Sequence, residues 1–338
     1  MFESVITVSL LGNLYMNIVK SAVVFICDAN FVLPTCVALT SLMQNKKEES
    51  YYDVYVIMSE YNEKDGDRFR SFEQYPNTAI HIIKGSLEKY RSIPQAAHVT
   101  ISALLKFDIC ELISEYDKLL YLDGDLIIRS DITDLYHIDL QGKHAAVVKN
   151  SRGILDGSDY FFSGLILFDA AKMRRDGMRD KLLSTRKELG QRKAMDMTAF
   201  NIVLKDKVIF IDPKYDCPLG RVEYERKYYK IQEYNAFYQT DYKNWTDLVK
   251  QSLIIHYCGA LKPWKYSFGW CNEEWKRYYD QSPYKKEKLQ RKNFLCYLKE
   301  IISKEGIKGI YYLIKDKATE ATGPIGSKRL NSVPGNFV

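Results

Sequence analysis

The sequence predicts an α/β fold, and two observations carry that prediction. Short runs rich in β-branched and aromatic residues alternate along the chain with stretches whose apolar residues recur every three or four positions, a pattern typical of strands joined by crossover helices. The chain has 338 residues, of which 46% are hydrophobic and 27% charged. This length and composition suit one large domain with an appendage, or two small domains, and exclude a disordered or collagen-like chain.

Each predicted strand is a compact apolar run, and each predicted helix shows apolar spacing of three and four residues. The predicted strands are 22–26, 52–57, 79–83, 118–122, 145–148, 165–168, 208–211 and 253–257. The predicted helices between them are 33–44, 63–73, 101–113 and 195–204.

The pattern changes towards both ends of the chain. Residues 1–20 precede the first predicted strand, and we expect an N-terminal extension with little structure there. The α/β pattern fills residues 21–272. Residues 273–317 become helical, aromatic and basic, and residues 318–338 form a Gly-, Pro-, Ser- and Asn-containing tail that predicts disorder.

Charge and motif content exclude several functional classes. Residues 276–338 contain 14 Lys and Arg against 6 Asp and Glu, and subtraction from the totals of 49 and 43 leaves 35 against 37 for residues 1–275. The net charge of +6 is therefore local, and we expect no nucleic-acid partner. Neither G-x-G-x-x-G after a strand nor G-x-x-x-x-G-K-[ST] occurs, which disfavours a dinucleotide oxidoreductase and a P-loop NTPase.

The cysteines and the N-terminal residues predict a cytoplasmic protein. Seven cysteines occur without a Cys-x-x-Cys pair, and free thiols are typical of a reducing compartment. The apolar patches of residues 1–26 are interrupted by polar and charged residues well short of the roughly 20 residues that span a bilayer.

Two acids separated by a glycine, Asp123-Gly124-Asp125, follow the apolar run 119–122. Two carboxylates at the end of a buried strand can converge on one divalent cation and leave positions for phosphate oxygens. An exposed turn is the structural alternative, since Asp and Gly favour turns. A haloacid-dehalogenase-type phosphatase, whose first aspartate is a nucleophile, is another alternative, although Leu126 and Ile127 stand where that family usually has Gly-Thr.

A second constellation, His256-Tyr257-Cys258-Gly259-Ala260-Leu261-Lys262-Pro263-Trp264, follows the apolar run 253–255. A neutral imidazole can complete a metal site begun by two carboxylates, and a glycine-containing loop lets the Lys262 ammonium approach a diphosphate. The structural alternative is a histidine at the end of a strand whose hydrogen bonds are satisfied within the fold and which binds no metal. Because α/β sheets bind ligands at the ends of their strands, the two motifs together predict a metal-diphosphate site.

Taken in order, the motifs resemble glycosyltransferase family 8, which includes bacterial lipopolysaccharide α-galactosyl- and α-glucosyltransferases and glycogenin. The resemblance spans residues 21–264 and implies a GT-A fold over residues 21–272, with a mixed, mainly parallel sheet, flanking helices and a small helical C-terminal extension. Its landmarks are Val24-Phe25-Ile26-Cys27-Asp28-Ala29-Asn30-Phe31, Asp123-Gly124-Asp125, Tyr160-Phe161-Phe162-Ser163-Gly164-Leu165, Asp196 within 195–201, and His256 to Trp264.

The resemblance assigns nucleotide binding to residues of the first landmark, residues 24–31, and of the two strand-end motifs. Asp28 and Asn30 would bind uracil and ribose, and Phe31 would stack on the base, its structural alternative being a core residue at a helix start. Mn²⁺ or Mg²⁺ would be held by Asp123, Asp125 and His256 and would stabilise the UDP leaving group. Further contacts to the nucleotide sugar would come from Lys106, Gly124, Phe162, Ser163, Gly259 and Lys262.

Asp196 matches the family's acid near the donor sugar, where a carboxylate orients hydroxyls or stabilises oxocarbenium charge. An exposed acid at a helix N-terminus is its structural alternative. Three positions depart from the family: Lys106 replaces an arginine, Phe162 an asparagine and Met197 a glutamine. Lysine keeps the charge but loses the bidentate fork, and the other two changes add apolar bulk, so donor and acceptor are expected to differ from the best-known members.

The resemblance implies a metal-dependent retaining hexosyltransferase. It would move galactose or glucose from UDP-galactose or UDP-glucose to a saccharide or lipid-linked saccharide acceptor in bacterial surface polysaccharide synthesis. Front-face attack and a covalent intermediate are both compatible with these residues. A non-catalytic UDP-sugar- or glycan-binding relative is the alternative from another class.

The basic, aromatic segment 273–317 suits either a solvated helix face or contact with an anionic membrane surface. We expect the membrane contact, on the inner face of the plasma membrane beside a lipid-carried acceptor. The residues concerned are Trp275, Tyr278, Tyr279, Tyr284, Lys285, Lys286, Lys288, Arg291, Lys292 and Phe294.

Overall fold

The computed structural model describes residues 20–93, 100–190 and 196–305 and centres on a seven-stranded sheet with the order β3-β2-β1-β4-β7-β6-β8. Among these seven strands only β7 runs against the others, because it pairs antiparallel with β4 and β6 while every other pairing is parallel. The predicted mixed, mainly parallel sheet is confirmed. Its strands are β1 (Lys20–Cys27), β2 (Tyr51–Met58), β3 (Thr78–Lys84), β4 (Lys118–Leu122), β6 (Ala145–Lys149), β7 (Phe161–Asp169) and β8 (Val208–Ile211).

A second, three-stranded sheet has β10 (Ile254–His256) between β5 (Leu126–Ile128) and β9 (Cys217–Pro218). Strand β10 pairs antiparallel with β5, and the register places His256 opposite Leu126, the residue that follows Asp125. This pairing brings the two sequence motifs together. The sequence did not predict β5 and β9, because runs of two or three residues are too short to show a period.

Three of the four helices predicted from spacing, 33–44, 63–73 and 195–204, correspond to α-helices of the structure, whereas the helices within 133–188 and 219–251 were not predicted. One difference is the predicted helix 101–113, which forms a 3-10 helix over Ile101–Asp108 and then a short α-helix. Apolar spacing of three fits both windings, so periodicity does not separate them. The α-helices are α1 (Val32–Asn45), α2 (Glu63–Arg70), α3 (Ile109–Leu112), α4 (Thr133–Tyr136), α5 (Gly153–Asp156), α6 (Ala170–Arg175), α7 (Met178–Glu188), α8 (Asp196–Val203), α9 (Leu219–Glu225), α10 (Ile231–Tyr238), α11 (Trp245–Gln251), α12 (Asn272–Tyr279) and α13 (Phe294–Glu305).

The core lies around β1, β2 and β4, whose residues are buried on both faces. This is the expected burial of parallel strands that helices cover, and it explains why these strands appear in the sequence as continuous apolar runs. None of the helices within residues 20–93, 100–190 and 196–305 combines the length and apolarity needed to cross a membrane.

The aromatic residues of α12 belong to this core. Trp275, Tyr278 and Tyr279 are buried, as is Tyr284 after the helix, and the Tyr278 hydroxyl accepts a hydrogen bond of 2.8 Å from Asn45 Nδ2 in α1. The prediction that these four side chains face a membrane or solvent is therefore wrong, since burying large rings against α1 stabilises the fold more than exposing them.

The five basic residues predicted to contact a membrane divide into two groups. Lys285, Lys286 and Lys288 are exposed, whereas Arg291 donates a hydrogen bond to Asn272 and Lys292 pairs with Glu300. The predicted boundary at residue 272 stays a prediction. The predictions for residues 1–19 and 306–338, which include the disordered tail, lie outside the described residues.

Glu225, at the end of α9, is a buried carboxyl, and its burial raises its pKa from 4.5 to about 7 despite the opposing charge of Arg221. A folded-state pKa above the unfolded value means that protonation favours folding, so stability is lost as the pH rises from about 4.5 to 7. We expect Glu225→Gln to be about 3 kcal/mol more stable than the wild type at pH 8 and equally stable at pH 4.

Urea unfolding at both pH values measures this difference. Glu188→Gln, which alters an exposed glutamate at the end of α7, is the matched control and should not change the pH profile. An equal stability of wild type and Glu225→Gln at pH 8 would contradict the assignment of a raised pKa.

Candidate active site

Asp123, Asp125 and His256 lie together where β4 and β10 end. One ligand atom from each lies within 4.8 Å of the other two, and His256 Nε2 is 3.3 Å from Asp125 Oδ1 and 3.7 Å from Asp123 Oδ2. Carboxylate oxygens and imidazole nitrogen are ligands that Mn²⁺ accepts, and the carboxylates also suit Mg²⁺. The structure thus brings together the three residues that the sequence predicts as metal ligands.

The backbone of β7 leaves room for this cluster at Gly164. A Cβ atom at this position would lie 2.4 Å from His256 Cε1 and 3.0 Å from Asp123 Oδ2, closer than van der Waals contact allows. The Gly164 carbonyl also accepts a hydrogen bond of 2.8 Å from the Asp123 amide. A residue without a side chain is therefore needed for the imidazole and carboxylate to converge, which is the arrangement expected of a cation site.

Asp216 is a residue of the site that the sequence analysis missed. Its Oδ1 lies 2.9 Å from His256 Nδ1, on the side of the ring away from Asp123 and Asp125. It stands directly before the two-residue strand β9, where no motif marks it, so no sequence signal distinguishes it from other aspartates.

The charges of the cluster strongly perturb its proton affinities. Burial disfavours ionisation of Asp125, but Lys262 and His256 outweigh it and hold the pKa of this carboxyl well below its usual range. Burial likewise disfavours the imidazolium, yet Asp125 and Asp216 raise the pKa of His256 well above its usual value. The acids of the site therefore attract positive charge strongly, as a divalent-cation site requires.

Lys262 lies at the edge of the cluster. Its Nζ is 2.5 Å from Asp125 Oδ2 and donates a hydrogen bond of 2.7 Å to the Tyr257 carbonyl. The loop between these residues turns at Gly259, where a φ of +90° favours glycine. The predicted diphosphate-binding lysine is thus held beside the predicted metal ligands.

Lys106 joins Asp123 to Asp196. Its buried Nζ lies 2.7 Å from Asp196 Oδ2 and 3.1 Å from Asp123 Oδ1, and the Ser163 hydroxyl donates to Asp196 Oδ2 at 2.9 Å. Burial lowers the proton affinity of Lys106, but Asp123 and Asp196 outweigh it, so its pKa is raised above the usual value. Tyr121 also donates to Asp123 Oδ1, at 2.5 Å, and is a second residue that the sequence analysis missed.

Asp196 is buried at the start of α8. The structural alternative, an exposed acid at a helix N-terminus, is therefore wrong. Phe162 and Met197 are half-buried, and they are adjacent in sequence to Ser163 and Asp196, respectively.

The predicted base-binding residues form a tight turn after β1. Asp28 Oδ1 accepts a hydrogen bond of 2.9 Å from the Asn30 amide. The half-buried Phe31 ring contacts Trp264 edge to face, with ring centroids 5.9 Å apart. A Cβ on Gly124 would lie 3.5 Å from Phe31 Cδ1 and 2.2 Å from Thr35 Oγ1. Phe31 therefore lies directly beside the Asp-Gly-Asp turn.

Two carboxylates after β4 of the mainly parallel sheet and a histidine in β10 of the second sheet form the arrangement expected of a GT-A transferase of nucleotide sugars. The chain belongs to glycosyl transferase family 8, whose model matches residues 22–267. The predicted family and hexosyltransferase class are confirmed, and the phosphatase alternative is wrong.

Individual relatives agree with this assignment. The chain is 27% identical over 252 residues to the lipopolysaccharide 1,2-glucosyltransferase of Escherichia coli (strain K12), covering 70% of each chain. It is also 27% identical over 267 residues to glycosyltransferase GlyE of Streptococcus pneumoniae, covering 78% of this chain but 62% of GlyE.

A solved relative supports the fold. The structure of galactosyltransferase LgtC in complex with donor and acceptor sugar analogues superposes with a TM-score of 0.63 at 23% identity, covering 78% of this chain and 96% of LgtC. The predicted GT-A fold is confirmed.

Proposed function

We propose that this protein transfers galactose or glucose from UDP-galactose or UDP-glucose to a hydroxyl group of a saccharide or lipid-linked saccharide, with retention of the α configuration. The observation that carries the proposal is the convergence of Asp123, Asp125 and His256 from distant parts of the chain beside a buried Lys106–Asp196 pair. The names of relatives, a lipopolysaccharide glucosyltransferase and a lipopolysaccharide 1,3-galactosyltransferase, favour a role in bacterial surface polysaccharide synthesis.

Asp123, Asp125 and His256 would hold Mn²⁺ or Mg²⁺. The bound cation would offset the charge of the departing UDP. Lys262 would add a charge-assisted hydrogen bond to the diphosphate, with Gly259 allowing the loop to approach. Asp28 and Asn30 would bind uracil and ribose, and Phe31, which is only half-buried, would present its ring to the base.

Asp196 would act on the donor sugar. Its Oδ2 is held by Lys106 and Ser163, so the carboxylate is fixed in orientation before substrate binds, and fixed dipoles and charges are effective at stabilising developing charge. A carboxylate in this position suits stabilisation of positive charge at the anomeric centre. Phe162 would replace a hydrogen-bonding amide by an apolar surface near Ser163, which favours a donor or acceptor different from that of the best-known family members.

A screen of UDP-sugars for metal-dependent UDP release tests the proposal. We expect slow hydrolysis of UDP-galactose or UDP-glucose with Mn²⁺, faster UDP release when an acceptor saccharide is added, and none with EDTA. Binding of the UDP-sugar without hydrolysis or transfer would instead favour the non-catalytic binding protein.

We also propose that the exposed lysines after α12 contact an anionic membrane surface. Three of them, Lys285, Lys286 and Lys288, lie within four positions and are exposed. Each basic residue close to such a surface contributes about 1 kcal/mol, and salt weakens the contact. This arrangement would keep the enzyme beside a lipid-carried acceptor.

Reversing these three charges to glutamate is expected to abolish sedimentation of the protein with phosphatidylserine-containing vesicles. UDP-sugar hydrolysis should be unchanged, and only transfer to a lipid-carried acceptor should slow. A matched control changes three exposed lysines elsewhere, Lys187, Lys205 and Lys250, to glutamate. Wild-type protein that fails to bind vesicles, or binds equally in 1 M salt, would leave a solvated surface as the correct interpretation.

A further inference from the structure

We propose that Asp216 is a positioning residue of the metal site: its carboxylate sets the orientation and tautomer of His256 and thereby the affinity for the divalent cation. The inference rests on the proposed function, because it takes His256 to be a metal ligand. It concerns a residue that contributes no ligand atom itself.

Each nitrogen of the His256 imidazole faces carboxylate oxygens. Nδ1 lies 2.9 Å from Asp216 Oδ1, whereas Nε2 faces Asp125 Oδ1 at 3.3 Å and Asp123 Oδ2 at 3.7 Å. When Nδ1–H donates to Asp216, the lone pair of the neutral ring is on Nε2 and points at the two carboxylates. A hydrogen bond donated by the second ring nitrogen to a carboxylate also makes a histidine a stronger ligand.

The backbone holds Asp216 in place for this contact. Strand β9 begins immediately after it and pairs parallel with β10, so that Cys217 lies beside Ile255 and Pro218 beside His256. The Asp216 amide donates to the Pro213 carbonyl at 3.2 Å. The pairing of β9 with β10 therefore brings Asp216, the residue before β9, next to His256.

The burial of Asp216 favours a role beyond stability. The residue is 1% exposed, and its Oδ2 is buried without a hydrogen-bond partner in the part of the chain that the structure describes. Burying a carboxylate with an unsatisfied oxygen costs free energy. The other oxygen of this carboxylate has the His256 imidazole as its partner. A buried carboxylate in such an arrangement is expected of a group that orients a metal-binding histidine.

The first test is the Mn²⁺ affinity of the full chain without nucleotide, measured by calorimetry. Asp216→Ala is expected to weaken Mn²⁺ binding by about 10- to 100-fold. Asp216→Asn keeps an oxygen that can accept from Nδ1–H but loses the charge, so a smaller loss of at least about threefold is expected. Asp108→Asn is the matched control, because Asp108 is also a buried acid, but its partners are Tyr90, Lys89 and Arg179.

The second test reads the tautomer directly. Nitrogen-15 NMR of the Mg²⁺-bound protein should show His256 protonated at Nδ1 in the wild type and a mixture of tautomers in Asp216→Ala. The chain contains five histidines, and loss of one signal in His256→Ala assigns the resonance.

The outcomes separate this inference from the proposed function. Wild-type protein that does not bind Mn²⁺ would overturn the metal site and the inference together. If the wild type binds Mn²⁺, an Asp216→Ala variant whose Mn²⁺ affinity is within about threefold of the wild-type value, and whose His256 tautomer is unchanged, would overturn the inference alone. Should Asp216→Ala fail to fold, Asp216→Asn decides, and undiminished Mn²⁺ affinity in that variant would overturn the role of Asp216.

Discussion

Replacing Asp125 with asparagine is expected to abolish metal-dependent sugar transfer and to leave the fold intact. The variant keeps the size of the side chain but removes the negative charge that lies 3.3 Å from His256 Nε2 and 2.5 Å from Lys262 Nζ. A cation that compensates the charge of a leaving group contributes several kcal/mol to transition-state stabilisation. We therefore expect a loss in kcat/KM of about 10³-fold or more, and a similar loss for His256→Ala.

Initial rates of UDP release with and without EDTA measure this loss, and circular dichroism checks the fold. Asp134→Asn, which alters an exposed acid in α4, is the control and should behave as the wild type. Turnover of the wild type that persists in EDTA would remove the metal hypothesis.

Replacing Lys262 with alanine is expected to weaken the binding of UDP and of UDP-galactose by similar factors. A hydrogen bond from an ammonium to a diphosphate oxygen contributes about 1.5–3 kcal/mol, which corresponds to about 10- to 150-fold in the dissociation constant. The two factors should agree because the diphosphate is common to both ligands. Calorimetry in the presence of Mn²⁺ measures them.

A control separates a direct contact from an effect through Asp125. Lys262 Nζ contacts Asp125, so its removal frees this carboxylate, and Mn²⁺ affinity without nucleotide is not expected to fall. A fall in Mn²⁺ affinity equal to the fall in UDP affinity would show that Lys262 acts through the metal ligand. Lys265→Ala, in the same loop and exposed, should change neither affinity.

The central strands were predictable from the sequence because their environment is uniform. Parallel strands covered by helices are apolar on both faces, so β4 was predicted with the bounds at which it occurs, Lys118–Leu122. The metal cluster was predictable for a related reason. Polar residues that directly follow such apolar runs lie at strand ends, where α/β sheets bind ligands, and the order of the motifs along the chain pointed to the family.

The burial of the aromatic residues in α12 was not predictable. Trp275 and Tyr278 stand among lysines and glutamates in the sequence, a composition that a membrane-facing helix, a solvated helix and a docked helix share. Their burial depends on packing against α1, more than 200 positions earlier. Local composition contains no information on a contact over that separation.

The sequence by itself determined the α/β class, the central strands and the three residues that converge as candidate metal ligands, because each depends on local periodicity or on a motif next to a strand. The tertiary structure alone decided that Asp216 contacts His256 and that Lys106 contacts both Asp123 and Asp196. The Asp216–His256 contact connects residues 40 positions apart, and the Lys106–Asp196 contact connects residues 90 positions apart. They follow from strand pairing and helix packing, and a two-residue strand such as β9 has no period by which the sequence could have revealed it.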